Sequence, residues 1–168
     1  MSTDTDPTDT RASYVPVPVR FDFDALAPAT SKAVADLHQA AIEDLAGAGV
    51  DPQLVELVRL RASQINGCAY CLQLHLNWAR KAGVPQSRLD RLAVWRDAAD
   101  FTERERAALA WTEALTDLSR RDELEFARQA LVGAFSAEQL LRLAVAIAVI
   151  NAWNRIAGPL GFTPAQAE

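Results

Sequence analysis

Apolar residues recur along this chain at helical spacing, and no stretch shows the period-two alternation of a half-buried strand. The first stripe is Ala33, Val34, Leu37, Ala41, Ile42 and Leu45. It opens near Pro28, stops before Gly47 and Gly49, and predicts a helix over about 28–45. Asp51-Pro52 supplies an N-cap followed by a first-turn proline. Leu54, Val55, Val58, Leu60, Ala62 and Ile65 then carry a second helix to about residue 65. Asn66-Gly67 breaks the pattern. It resumes through Cys71, Leu72, Leu74, Leu76, Trp78 and Ala79 and stops at Gly83, ahead of Pro85.

A short helix is expected over about 89–95. Thr102/Glu105 and Ser136/Gln139 are capping boxes. They open a helix to about Leu118 and a last long helix that ends at Gly158-Pro159. Between them a helix runs over about 122–132, ended by Gly133. The last helix is apolar on most of its circumference from Leu140 to Ile150, as in a helix central to a core or shared between subunits. Asn151, Trp153, Asn154 and Arg155 follow at its polar end, where they either line a pocket or satisfy buried backbone groups. The fold class that follows is all-α, a single-domain bundle of about six to seven helices over 28–168. Residues 1–13 carry little to bury and are expected to be a disordered tail. Pro16 and Pro18 exclude a helix where they stand, so 14–27 reads as an extended arm.

Composition narrows the function. The net charge is -5 with no basic patch, which argues against a nucleic-acid partner. The run Leu143 to Ile150 is short of the roughly 20 residues of a membrane span. The first thirteen residues lack the apolar segment of a signal peptide. A cytoplasmic protein with no membrane partner is the expectation. In that reducing setting the two cysteines point to catalysis or metal binding rather than a structural staple.

Those cysteines stand as Cys68-x-x-Cys71, with His75 four residues on and Glu56 twelve before. A helix starting near Cys68 puts Cys68, Cys71 and His75 on one face. Cys68 falls in the first turn, where unpaired N–H groups and the helix dipole favour a thiolate. Cys71 is one turn deeper and needs a base, for which His75 is the candidate. Other readings stand beside this one. The cysteines can be two small apolar residues on a buried face. Cys68, Cys71, His75 and Glu56 could ligate zinc, although no second Cys/His pair is present. Taken alone, Glu56 is a surface carboxylate pairing with Arg59. His38 alone is a surface or hydrogen-bonded residue, and Tyr70 and Trp78 are packing residues.

The span SQINGCAYCLQLHLNWARKAG, with INAWNRIAGPLGF later, resembles the carboxymuconolactone decarboxylase-like superfamily, closest to its alkylhydroperoxidase D branch. The likeness covers roughly Leu37 to Phe162. It implies an all-α fold in which the helix carrying Glu56 packs on the helix carrying the cysteines. It implies a peroxidase whose catalytic residues are Cys71, Cys68, His75 and Glu56. Cys71 attacks a hydroperoxide substrate and Cys68 resolves the sulfenic acid. Glu56 orients His75, and an external dithiol reductant closes the cycle. No cofactor and no resident metal are implied, and family members form homo-oligomers, trimers or hexamers. Tyr70 departs from the branch, whose namesake carries a second histidine there. A redox sensor without turnover, or a decarboxylase-type enzyme, are the alternatives.

Overall fold

A computed structural model describes residues 21–119, 121–164 and 166. Among them are eight α-helices and no strand: α1 Phe23–Leu26, α2 Pro28–Gly47, α3 Pro52–Asn66, α4 Ala69–Lys81, α5 Gln86–Arg91, α6 Glu103–Thr116, α7 Arg121–Ala134 and α8 Ala137–Ala157. Leu92–Val94 adds a 3-10 turn after α5. The eighth helix, beyond the expected six or seven, is the single turn of α1. It replaces the end of the predicted extended arm because Asp22 caps it, accepting from the Ala25 N–H at 2.9 Å, and no proline lies between Val19 and Ala27. The predicted tail 1–13 and arm residues 14–20 lie outside the described residues. Helix α7 continues one residue past Gly133 instead of ending there.

The predicted caps form. Thr102 and Glu105 bond reciprocally at the start of α6, as do Ser136 and Gln139 at the start of α8. Asp51 accepts from the Gln53 N–H at 2.8 Å and starts α3.

Helix α3 is central to the core, and α8 packs on it and also on α2, α4, α6 and α7. Every residue from Leu54 to Leu60 is buried, because α3 packs at once on α4, α6 and α8. Leu54, Val55 and Val58 join one apolar cluster with Trp111, Leu131, Leu143 and Ile147. Leu57 and Leu60 join another with Leu89, Leu92, Trp95 and Leu109. Helix α8 is buried along one face. That face carries Leu143, Ile147 and Ile150, while Leu141 and Val145 are exposed. At 21 residues, the whole of α8 is long and apolar enough by length and composition to cross a membrane, although the run Leu143 to Ile150 alone is not. Helix α2 also departs from its stripe. Ser31, Ala41 and Leu45 are buried, but Leu37 is 51 % exposed.

Gly67 sets the site. It adopts φ +66°, a left-handed conformation that L side chains rarely take. It turns the chain from α3 into α4, with the Cys68 N–H bonding back to the Ser63 carbonyl at 3.2 Å. Glu56 lies eleven residues before this turn and His75 eight after it, roughly 16 and 12 Å along the two helices. Folding the hairpin closed brings their side chains level.

Candidate active site

Glu56 Oε2 lies 2.7 Å from His75 Nδ1, and Glu56 Oε1 accepts from Arg59 Nη1 at 3.0 Å. All three residues are buried, so the reading of Glu56 as a surface carboxylate is corrected. Its pairing with Arg59 holds, but inside the protein. The carboxylate faces Nδ1, so Nδ1 carries the ring proton and Nε2 keeps a lone pair. Burial, the largest influence, pulls the His75 pKa down against the opposing pull of Glu56. The ring is therefore a neutral imidazole at neutral pH.

Cys68 is the N-cap of α4, and its sulfur accepts from the Cys71 N–H at 3.3 Å. The Cys71 thiol donates to the same sulfur. That bond, outweighing burial, brings the Cys68 pKa down to about 6. The first-turn position thus favours a thiolate, with Cys71 as its leading donor. The Cys71 pKa moves the other way: its proton is engaged by Cys68, and burial adds to the rise. The two shifts run in opposite directions, toward a thiolate at Cys68 and a thiol at Cys71. Both cysteines are free.

The two sulfurs have different surroundings. Cys68 is closed in by Ala62, Ile150 and Ala157. Cys71 lines a cavity of about 160 Å³ together with His75, His38, Tyr70, Trp78 and Trp153. No direct hydrogen bond joins Cys71 to His75, one turn further along. A second cavity, of about 400 Å³, is lined by Glu56, Arg59, Val55 and Ile42. His38 and Trp78 border both cavities.

His38, expected at the surface or in a hydrogen bond, stands at the cavity edge. It is half-buried, its Nδ1 is enclosed without a partner, and its ring stands 6.1 Å from Trp78 and 6.5 Å from Trp153. Burial first, then Arg59 and His75, bring its pKa down to about 4. Nothing in a lone histidine on an amphipathic helix signals this position. Tyr70 packs edge-on against Phe162 at 5.4 Å and also forms part of the cavity wall. Asn151 and Asn154, singled out at the polar end of the last helix, bond other side chains there. Asn154 donates to Ser63 Oγ at 3.1 Å and accepts from Asn66 at 3.0 Å, beside the thiols. Among the described residues no three His, Cys, Asp or Glu side chains are grouped so as to hold a metal ion. The four side chains proposed as zinc ligands are instead joined as two pairs, Glu56 with His75 and Cys68 with Cys71.

The carboxymuconolactone decarboxylase family model matches residues 28–114, just over half of the chain and all of the α2–α4 site scaffold. The chain belongs to the carboxymuconolactone decarboxylase family. Within this family it falls in the alkylhydroperoxidase D-like branch. A protein of unknown function from Agrobacterium tumefaciens, described as a candidate antioxidant defence protein AhpD, superposes with a TM-score of 0.79. It is 32 % identical, with 88 % of this chain and 99 % of that one covered. The alkylhydroperoxidase AhpD core of a peroxidase-related protein from Ralstonia eutropha JMP134 gives a TM-score of 0.69 at 25 % identity, covering 85 % and 74 %. The uncharacterized protein YdfG of Bacillus subtilis (strain 168) is 33 % identical over 63 % of this chain and 72 % of its own length. The family points to an enzyme with an antioxidant, peroxidase-related or decarboxylase-like activity.

Proposed function

We propose that this family member is a thiol peroxidase that reduces hydroperoxides through a Cys68/Cys71 dithiol–disulfide cycle. One observation carries the reading: Cys71 and His75 share a cavity, and Glu56 holds the His75 ring at 2.7 Å from behind. In the first step Cys71 loses its proton, to His75 Nε2 through a water or to the neighbouring Cys68 thiolate. The Cys71 sulfur attacks the terminal oxygen of the hydroperoxide. The O–O bond breaks, and the departing alkoxide takes a proton to leave as the alcohol. Cys71 is now a sulfenic acid. The Cys68 thiolate attacks that sulfur, an S–S bond forms, and hydroxide leaves as water after taking a proton. An external dithiol then reduces the disulfide by exchange, entering at the cavity-facing Cys71 sulfur.

His75 serves because it is neutral and oriented. A protonated ring could accept nothing, and an unheld ring would lose its alignment. Glu56 stabilises the imidazolium as it forms, while Arg59 occupies its other carboxylate oxygen at 3.0 Å.

Self-association is part of the proposal. Leu141 at 64 % and Val145 at 39 % exposure form an apolar strip on α8, and Leu118 is 63 % exposed beside it. Monomers rarely leave such a strip in water, and a second copy is the partner the family suggests.

The test is hydroperoxide consumption with a dithiol reductant. Wild-type protein turns over, Cys71→Ser does not, and Cys68→Ser reacts once without recycling. Equal activity in wild type and Cys71→Ser contradicts the assignment. A sensor is the second reading, since Cys68 is enclosed by apolar side chains and the disulfide is open to a reductant from the Cys71 side alone. A sensor oxidises stoichiometrically and stops even with reductant in excess.

A further inference from the structure

We propose that Asn154 is a positioning residue for the dithiol: its carboxamide N–H is a fixed donor facing the Cys68 and Cys71 sulfurs. The orientation of this amide is fixed by a chain of donors that have no alternative role. Arg155 Nη1, which can only donate, bonds Asn151 Oδ1 at 2.8 Å. Asn151 Nδ2 in turn donates to the Ile147 carbonyl at 2.9 Å and to Thr116 Oγ1 at 3.1 Å. Asn66 must therefore present its NH2 to Asn151 Oδ1, 2.9 Å away, and it also donates to the Ala62 carbonyl at 2.9 Å. That same NH2 meets Asn154 at 3.0 Å, so Asn154 turns its oxygen toward Asn66. Its own NH2 is left facing the other way. One N–H goes to Ser63 Oγ at 3.1 Å, whose hydroxyl proton is committed to the Arg59 carbonyl at 2.8 Å. The other faces the dithiol, because Asn154 stands between Ile150 and Ala157 on the α8 face that packs against Cys68 and Cys71, and a donor there lowers the pKa of both thiols.

The surroundings make this donor matter. Cys68 is enclosed by apolar side chains, and its Cβ lies against Gly158, one turn beyond Asn154 on the same helix end. Buried without a donor, a thiolate loses its hydration and its pKa rises. The ionisable groups on the elements around the pair are Tyr70 and His75 on α4, Glu56 and Arg59 on α3, His38 on α2 and Arg155 on α8. None of their charges is among the influences that move Cys68, and Tyr70 enters only through its backbone N–H. The work falls to neutral dipoles, of which Asn154 is the side chain contributed from outside α4. The arrangement resembles an oxyanion hole in logic: a fixed donor aimed at a charge, costing no reorganisation when the charge appears.

The inference deepens the peroxidase reading, but its test needs no peroxide. Thiolate formation is followed by ultraviolet absorbance across pH in wild type, Asn154→Ala and Asn154→Asp, with urea unfolding of each as a stability control. The midpoint of the first ionisation is expected to rise by about one pH unit in Asn154→Ala, a tenfold loss of thiolate below the midpoint. Asn154→Asp, which keeps the size and removes the donor, should shift it further. A purely structural role lowers stability and leaves the midpoint where it was, and that result overturns the proposal. A second measurement uses the unsubstituted protein. The side-chain amide resonances of Asn154, followed by NMR, should titrate with the same midpoint as the thiolate absorbance; if they stay fixed through that transition, the proposal fails. A protein that passes both tests but never turns over hydroperoxide loses the peroxidase reading alone.

Discussion

Glu56 on α3 and Glu113 on α6 are both buried, both touch arginine, and sit on helices packed side by side. Their partners separate them. Glu113 accepts from Arg61 Nε at 2.7 Å and Trp95 Nε1 at 2.8 Å on one oxygen, and from Arg96 Nη1 at 2.5 Å on the other. Burial alone would raise its pKa, but Trp95, Arg96 and Arg61 together pull the carboxyl below the usual range. Every partner is a permanent donor, so the charge is fixed and the cluster is a clasp between α3, α6 and the segment after α5. Glu56 spends one oxygen on a permanent donor, Arg59, and the other on His75, a ring that can gain or lose a proton. Saturation by fixed donors makes a carboxylate structural. Sharing it with a titratable ring beside a cavity makes it available to chemistry.

This contrast gives a series of expected outcomes. The largest concerns the ring. His75→Asn retains a donor to Glu56 but no base, and peroxide turnover should fall about 10²–10⁴-fold. Steady-state kinetics check this, with urea unfolding beside them; a rate within a few-fold of wild type breaks the contrast on the Glu56 side. Next is Glu113→Ala, which strands Arg61 and should cost about 3 kcal/mol of stability. The protein that remains folded should keep its thiolate midpoint. A shifted midpoint would make the clasp part of the site.

Acid sharpens the comparison through the same pair of helices. His75 and His38 both have depressed pKa values in the fold. The unfolded chain therefore takes up protons that the folded chain refuses as pH falls below about 6.5, and stability drops in that window. For His38 the loss continues down to about 4. The depressed Cys68 pKa acts in the same direction. Its contribution is complete above the unfolded value of 9.0 and lost as pH falls toward about 6. Unfolding midpoints in urea should decline steadily from pH 9 to pH 4, and His38→Gln should flatten the lower half of that curve. The smallest effect is Trp95→Phe, which removes one of three donors from Glu113. It should cost about 1 kcal/mol in denaturant unfolding and leave turnover unchanged.

Local sequence carries the helices because their signals are local. Asp51-Pro52, the two capping boxes and the glycine at 67 each act within a turn of themselves, and each forms as read. Pairings between helices are a different matter. Periodicity says that Glu56 and His75 each have a face but not that the faces meet. The twelve-residue gap gained meaning only through resemblance to a family. His38 reaches the cavity because α2 lies across α8, which no pattern within α2 encodes. The Asn66–Asn154 bond joins residues 88 apart, and asparagines at a helix end look alike whether they cap, line a cavity or hold a thiolate. The apolar stripe on α2 overstated what is buried, since Leu37 faces outward. Hydrophobic spacing identifies a face, and only the neighbours decide whether it is covered.

The central claim is that Cys71, beside the Glu56-held His75, is the sulfur that meets the peroxide. The most direct measurement treats Cys68→Ser protein with one equivalent of cumene hydroperoxide in the presence of dimedone and locates the adduct by mass spectrometry. A dimedone adduct is expected on Cys71, formed more slowly when His75→Asn is added. An unmodified Cys71, or an adduct that forms at the same rate without the ring, would contradict it.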